Sequence, residues 1–557
     1  MQNEPATLAE VYRRSVEAFP RPDRYVRKSG ADWVPVSTAE LDRQVKACAA
    51  GLAALGLKPG DRAAIVSYNR LEWVVVDWAC QLMGVPDVPV YSTLPADQVD
   101  YILRDAGVRV VFVENAEQAA KVKSSGLPVV AFDPAPGAES FADFLKRGGE
   151  PPAHAPAADD LATLIYTSGT TGVPKGVMLT HRNLVSNFTS CCNLLSIGPE
   201  DLLLSFLPLS HSFERILDYA AFHRGASIAH AEHIDKVVQN LQEVRPTVMG
   251  AVPRFYEKVY ARIRDAAREM PGLRRAIFEW ARRVGAADAE CRRNGIRPPF
   301  LLRMKTALAR RLVFRKMADK VGGRIRLFIS GGGALSRDVA EYLWSLGFTL
   351  VEGYGLTETA PVLCINAPGG VKLGTVGRPI PGVEIRLAPD GEILARGPNI
   401  MKGYLNKPED TAAVFVDGWF ATGDIGELDP EGYLRITDRK KDLLKTSGGK
   451  YVAPQPIENR LKLSPFLRNA IVVGDARKFA AALLVPAPGA TREQLQAAVD
   501  EVNATLAHHE QIKKFALVET DFTLEGGELT PTMKVRRRAV EKKYSGLIES
   551  LYDGAPG

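Results

Sequence analysis

The sequence predicts an α/β fold with mainly parallel sheets, followed by a small antiparallel β unit and a closing α+β segment. Three observations lead there. Strand-like and helix-like stretches alternate through the first part of the chain, the pattern of strands joined by helical crossovers. After about residue 370 the texture changes to short strands between Gly/Pro/Asp turns. At 557 residues the chain is also too long for one core and suggests roughly three to four units of domain size.

The elements follow in order. An opening helix spans about Thr7 to Ala18. A second, Thr38 to Leu55, starts at S-T-A-E, which resembles a capping box. Lys58 to Asp61 is a turn, Arg62 to Ser67 a short buried strand, and Glu72 to Met83 a helix. Val88 to Tyr91 and Val108 to Val113 read as further strands. Tyr256 to Glu269, Leu273 to Val284 and Leu301 to Lys320 carry apolar residues at helical spacing. Beyond Gly370, G-R-P-I-P-G-V-E-I-R, P-D-G-E-I-L-A-R-G-P and D-P-E-G-Y-L-R-I predict a small antiparallel barrel or meander. The final segment holds a strand at Ala470 to Val473, a helix near Arg492 to Val502 and a basic tail helix after Lys534. The main domain boundary is placed at the run Asp438 to Asp442.

Composition excludes several classes. With 46% apolar and 24% charged residues the chain is globular, not disordered. Its six cysteines show no C-x-x-C pair, which points to reduced thiols in a cytosolic protein. The N-terminus has no apolar signal core, and no stretch approaches ~18 uninterrupted apolar residues, so no membrane span is expected. The net charge of +6 is uneven: Arg254 to Arg326 holds 21 Lys/Arg against 7 Asp/Glu. Two readings stay open there: solvated faces of surface helices, or a surface that attracts anionic lipid or an acidic ligand. No nucleic-acid motif accompanies the charge.

Tyr166 to Gly176 reads YTSGTTGVPKG. Glycines let backbone N–H groups converge on an anion, hydroxyls add donors, and Lys175 adds a mobile positive charge, so the expected ligand is a polyphosphate. The common nucleotide loop, G-x-x-x-x-G-K-[ST], fails at two positions: Pro174 replaces its second Gly and Gly176 its Ser or Thr. That removes P-loop kinases and GTPases.

Other motifs carry complementary chemistry. RLFISGGGA, Arg326 to Ala334, runs a strand into three glycines that can lie flat against a ring. YGLTET, Tyr354 to Thr359, can supply stacking, a phosphate hydrogen bond and a magnesium ligand at a strand end. WFATGD places Asp424 where it can accept two ribose hydroxyls, although a plain turn Asp has the same pattern. FLPLSHSFER contains His211, and a lone His is more often structural than catalytic. LTPTMKV holds Lys534, by default a bland surface residue.

Together, in this order across almost the full chain, these motifs resemble the adenylate-forming (AMP-dependent synthetase/ligase) superfamily, most of all the long-chain fatty acyl-CoA synthetases. The resemblance implies a large N-terminal domain (1–440) of stacked mixed or parallel sheets flanked by helices. Within it, about 370–440 forms a small β-barrel subdomain. A small, mobile α+β lid follows (441–557). It implies that Thr167, Ser168, Gly169, Thr170, Thr171, Gly172 and Lys175 hold the ATP phosphates, and that Gly332 and Gly333 line the nucleotide. Tyr354 then packs on adenine beside Gly355, Thr357 meets a phosphate and Glu358 holds Mg²⁺. Asp424 and Arg439 take the ribose. His211 gates the carboxylate pocket, Lys441 is the hinge (a departure from the usual Asp), and Gly448, Gly449 and Lys450 guide CoA. Lys534 neutralises charge between carboxylate and α-phosphate; it is the expected catalytic cation, with Thr167, Glu358 and His211 beside it.

The implied reaction is a two-step ligation. A fatty carboxylate and Mg·ATP give acyl-AMP and pyrophosphate, and CoA then displaces AMP. Two alternatives remain: an acyl-AMP ligase serving a carrier protein, and a non-catalytic lipid-binding relative. Expected partners are fatty acid, ATP and CoA, with no nucleic acid. The expected location is cytoplasmic, with peripheral contact at an anionic membrane, as a monomer or homodimer.

Overall fold

The computed structural model describes residues 4–149, 154–168, 173–447, 450–523, 526–530 and 535–552. Two large sheets dominate the first part. The eight-stranded sheet runs Gly403–Tyr404, Pro174–Thr180, Leu161–Ser168, Asp87–Val90, Arg62–Val66, Val108–Val113, Val129–Ala131, Glu139–Ser140. Its pairs are parallel except those made by Pro174–Thr180, whose partners on either side run antiparallel. The nine-stranded sheet has a parallel centre, Leu350–Gly355, Leu327–Ser330, Val248–Ala251, Leu202–Ser205, Ser227–His230 and Tyr25–Ser29, with antiparallel edges.

The sheets stack because strand side chains alternate faces. Ile65, Val110, Phe112 and Ile165 point into a core shared with Leu204, Ile228, Met249 and Leu327 of the other sheet. Ala64, Val66, Val111 and Val113 point the other way, against helix Ala96–Asp105. Helices Leu71–Met83 and Ser212–His223 are almost wholly buried in the shared layer.

A buried ionic cluster ties that layer together. The Arg215 guanidinium donates to Asp87 at 2.7 Å, to Thr163 at 2.8 Å and to the Tyr219 hydroxyl at 2.9 Å. It also meets Asp77 at 2.5 Å, and Tyr219 donates to Asp77 at 2.9 Å. Burial pushes Asp77 up to about 6, against the pull of Arg215. One side chain thus joins helix Ser212–His223 to helix Leu71–Met83 and to two strands of the eight-stranded sheet. It fixes the helix whose start borders the candidate site.

Glu384–Leu387, Glu392–Arg396, Trp419–Leu428, Phe415–Val416 and Leu434–Arg439 form the antiparallel sheet expected after Gly370. From Leu444 onward two further cores surround the sheet Leu467–Val473, Ala480–Pro486, Ile512–Leu517. Two helical expectations change in extent. The helix starting at Gly272 runs on to Arg293, because Ala289 and Asp288 remain buried beyond Val284. The predicted Leu301 to Lys320 helix is broken by a π turn, Arg310–Phe314, which brings Val313 and Phe314 inward together. All six cysteines are free thiols, as expected. Among the described residues no helix is long and apolar enough to cross a membrane.

Candidate functional site

A cleft of about 1570 Å³ lies at the carboxyl ends of the central parallel strands, between them and the C-terminal unit. Open α/β sheets place ligands at this edge. Three strands deliver residues at or just past their carboxyl ends into it: Val252 and Pro253, Gly331 to Gly333, and Tyr354 to Glu358.

The glycine-rich segment after Leu327–Ser330 is sterically constrained at its start. A Cβ on Gly331 would lie 2.9 Å from the Phe213 ring, and Gly332 has φ +77°, which favours glycine. At Gly333 a side chain would meet only ordinary contact, 3.6 Å from Pro253, so its glycine leaves open space on the cleft wall.

Strand Leu350–Gly355 brings Tyr354 to Asp424: the phenol donates to the carboxylate at 2.8 Å. Asp424 and Arg439 are register partners on neighbouring antiparallel strands, and the guanidinium lies 3.3 Å from the same carboxylate. Asp424 is buried, while Arg439 is partly open to the cleft. These three residues, chosen from separate motifs, form one cluster.

Glu358 accepts a hydrogen bond from Tyr404 at 2.9 Å. Thr357 Oγ1 lies 3.5 Å from Ser212 Oγ. One carboxylate suits Mg²⁺, which usually takes one or two protein carboxylates and completes its octahedron with phosphates and water. Among the described residues there is no cluster of three or more side chains that would hold a metal alone.

The described residues of the expected phosphate loop lie on two antiparallel strands, Leu161–Ser168 and Pro174–Thr180. Thr167 pairs with Lys175 and Ser168 with Pro174. A Cβ on Gly176 would lie 2.9 Å from the Tyr166 ring, which explains glycine there. Lys175, expected as a mobile positive charge, is seated in an ion pair here. Its ammonium is pinned to Asp410 at 2.6 Å, over the Tyr404 ring, because strand Gly403–Tyr404 and helix Pro408–Ala413 pack beside these strands. Gly169, Thr170, Thr171 and Gly172 lie outside the described residues, as does the Ser168 side chain.

His211 caps helix Ser212–His223, its Nδ1 accepting from the Phe213 N–H at 3.1 Å, and it also lines the cleft. Past it the wall turns apolar, through Leu195, Ile197, Ile216, Leu217, Ala220 and Ile365. Such a lining suits a hydrocarbon chain, with polar groups kept to the mouth.

Lys441 lies in the turn after Leu434–Arg439; burial, then the Arg439 charge, lowers its pKa. Beside it, burial raises Asp438 to about 6. Lys450 is held in a small turn with Thr446, exposed and away from the cleft walls. Gly448, Gly449 and Lys534 lie outside the described residues; Thr530 and Val535 on either side of the last both border the cleft.

Sequence reasoning missed Tyr404 and Asp410, which orient Glu358 and Lys175, and also missed Glu352. The Glu352 carboxyl sits under the glycine-rich segment, where burial raises it to about 8 against a hydrogen bond from the Leu335 N–H. A carboxyl that keeps its proton when folded and loses it when unfolded costs stability as pH climbs from about 4.5 to about 8. Glu352→Gln is therefore expected to melt above the parent chain at pH 8.5, with the gap closing toward pH 5. An equal shift at both pH values would contradict this.

Stacked α/β sheets, a cleft at the carboxyl ends of their strands and a C-terminal unit beside it fit the adenylate-forming fold. Two family models match: AMP-binding enzyme over residues 12–405, and AMP-binding enzyme C-terminal domain over residues 441–556. The chain belongs to the AMP-binding enzyme family. It is 38% identical to the long-chain-fatty-acid–CoA ligase FadD15 of Mycobacterium bovis, across 95% of this chain and 94% of that protein. It is 32% identical to long-chain-fatty-acid–CoA ligase 1 of Homo sapiens, across 89% and 78%. Among solved structures, ATP-bound MatB from Rhodopseudomonas palustris matches with a TM-score of 0.75 at 27% identity, covering 97% of this chain and 99% of that one. The adenylation domain of a Mycobacterium chelonae carboxylate reductase matches in fold, with a TM-score of 0.81 at 23% identity, covering 99% and 92%.

Proposed function

We propose that this chain is a long-chain fatty acid–CoA ligase working through an acyl-adenylate. The observation that carries the reading is the Tyr354–Asp424–Arg439 cluster, a ring, a carboxylate and a guanidinium brought together in a cleft that also has an apolar lining. Relatives named as long-chain fatty acid ligases align over nearly the whole chain.

In the first step a carboxylate oxygen attacks the α-phosphorus of ATP, and the bond to pyrophosphate breaks. In the second the CoA thiol attacks the acyl carbon and AMP leaves. Asp424 and Arg439 hold the ribose, Tyr354 packs on the base, and Thr167 to Gly172 cradle the outer phosphates. Lys175 supports that loop from its seat on Asp410. Glu358, oriented by Tyr404, would hold Mg²⁺, which supplies charge neutralisation on the phosphates when bound. Lys534 offsets the repulsion between carboxylate and phosphate. The C-terminal unit, 441–557, turns about Lys441 between steps and presents Gly448, Gly449 and Lys450 to CoA. His211 guards the carboxylate pocket. The enzyme works in the cytoplasm, as a monomer or homodimer, peripheral to the inner face of the membrane.

A panel of fatty acids with Mg·ATP tests the first step by pyrophosphate release. Release with long-chain acids, accompanied by AMP, is expected; ADP formation, or no release with any acid, would overturn it. Tyr404→Phe removes one hydrogen bond to a charged group and should raise the Mg²⁺ concentration for half-maximal rate about tenfold. An unchanged Mg²⁺ dependence would remove Tyr404 from that role.

A further inference from the structure

We propose that the ridge formed by helix Phe300–Ala309 and the π turn after it docks onto the surface of an anionic lipid bilayer. Six of the fifteen exposed large apolar side chains among the described residues fall within this short stretch: Ile296, Phe300, Leu301, Met304, Leu308 and Leu312. Phe300 and Leu301 are 70% and 71% exposed, so most of their apolar surface contributes no burial to the fold. The packing is done by the opposite face, where Thr306, Ala309, Val313 and Phe314 are buried, the last three within the main core.

The exposed side chains share a face. At about 100° per residue, Phe300, Leu301, Met304 and Leu308 fall within an arc of about 100°. Arg303 and Lys305 flank that arc on its two sides. The whole segment from Asn294 to Ala318 contains seven Lys/Arg and no Asp or Glu. All seven, Arg297, Arg303, Lys305, Arg310, Arg311, Arg315 and Lys316, are exposed. The adjoining helix Gly272–Arg293 differs: there Arg282 and Arg292 are paired with Glu279 and Asp288.

An apolar stripe between cationic flanks is the pattern of a helix lying in a membrane interface, with apolar side chains among the acyl chains and the cations at lipid phosphates. The stripe consists of exposed apolar side chains with only cations around it, and no Asp or Glu from Asn294 to Ala318, which favours a fluid anionic surface over a protein. No helix of the described residues could cross the bilayer, so the contact is a peripheral one. This inference locates the membrane contact that the proposed function expects, but it does not depend on the reaction.

Vesicle sedimentation of the full chain tests it, comparing phosphatidylcholine vesicles with and without phosphatidylglycerol. The wild type should bind the anionic vesicles and release in high salt. Phe300→Ser/Leu301→Ser/Met304→Ser and, separately, Arg303→Gln/Lys305→Gln/Arg310→Gln/Arg311→Gln should each weaken binding at least tenfold, with unchanged melting and unchanged turnover of a water-soluble fatty acid. Equal wild-type binding to neutral and anionic vesicles would overturn the proposal. So would serine or glutamine variants that bind like the wild type. A wild-type dimer that the serine variant dissociates, seen by analytical ultracentrifugation, would assign the ridge to a second copy and equally overturn it.

Discussion

Lys534→Ala is expected to slow acyl-adenylate formation by a factor on the order of 100 to 1,000, while pre-formed acyl-AMP and CoA still give thioester at close to the normal rate. The asymmetry follows from the charges. In adenylation an anionic carboxylate approaches an anionic phosphate, and a cation placed between them stabilises the transition state more than the ground state. In thioester formation the attacked carbon is an acyl carbon, and that repulsion is gone. Thr530 and Val535, the described residues on either side of Lys534, both border the cleft. Lys175 is already engaged, its ammonium paired with Asp410 beside the Tyr404 ring. Single-turnover measurement of the two half-reactions separates the outcomes; equal losses in both would remove Lys534 from a step-specific role and count against domain alternation.

Arg215→Met should be the most damaging substitution away from the cleft, at about 3–5 kcal/mol. Removing the guanidinium leaves Asp77 and Asp87 buried together, along with a Tyr219 hydroxyl that has lost one partner. Neither carboxylate reaches water, so the cost is an unpaired buried charge and not only a lost contact. Denaturant unfolding followed by fluorescence should show the first transition at much lower urea. Adding Asp77→Asn and Asp87→Asn to the Met variant should recover part of the loss. A single variant that unfolds like the wild type would show that the cluster contributes little.

Much of this was legible in the sequence because the informative residues come in contiguous runs. A glycine-rich turn and its flanking strand are local features, and the elements Val108–Val113 and Arg492–Asn503 follow from apolar spacing alone. The Asp424–Arg439 pairing also has a local origin, since a short hairpin places them opposite each other. What was not legible depends on distant segments. Tyr404 reaches Glu358 from 46 residues away and Asp410 reaches Lys175 from 235, and neither lies in a pattern that announces a partner. Periodicity says that a face is buried, not against what. For that reason the run FLPLSHSFER drew attention to His211 and not to Arg215, which holds two aspartates inside the core. The π turn at Arg310–Phe314 was likewise invisible, because the apolar spacing on either side is ordinary helix spacing.

Two-step ligation is tested most directly by supplying the chain with Mg·ATP, palmitate and CoA and following all products by mass. Palmitoyl-CoA, AMP and pyrophosphate in equal amounts are predicted. Palmitoyl-AMP and pyrophosphate without any thioester would contradict the CoA ligase and leave an adenylate-forming enzyme that serves another acceptor.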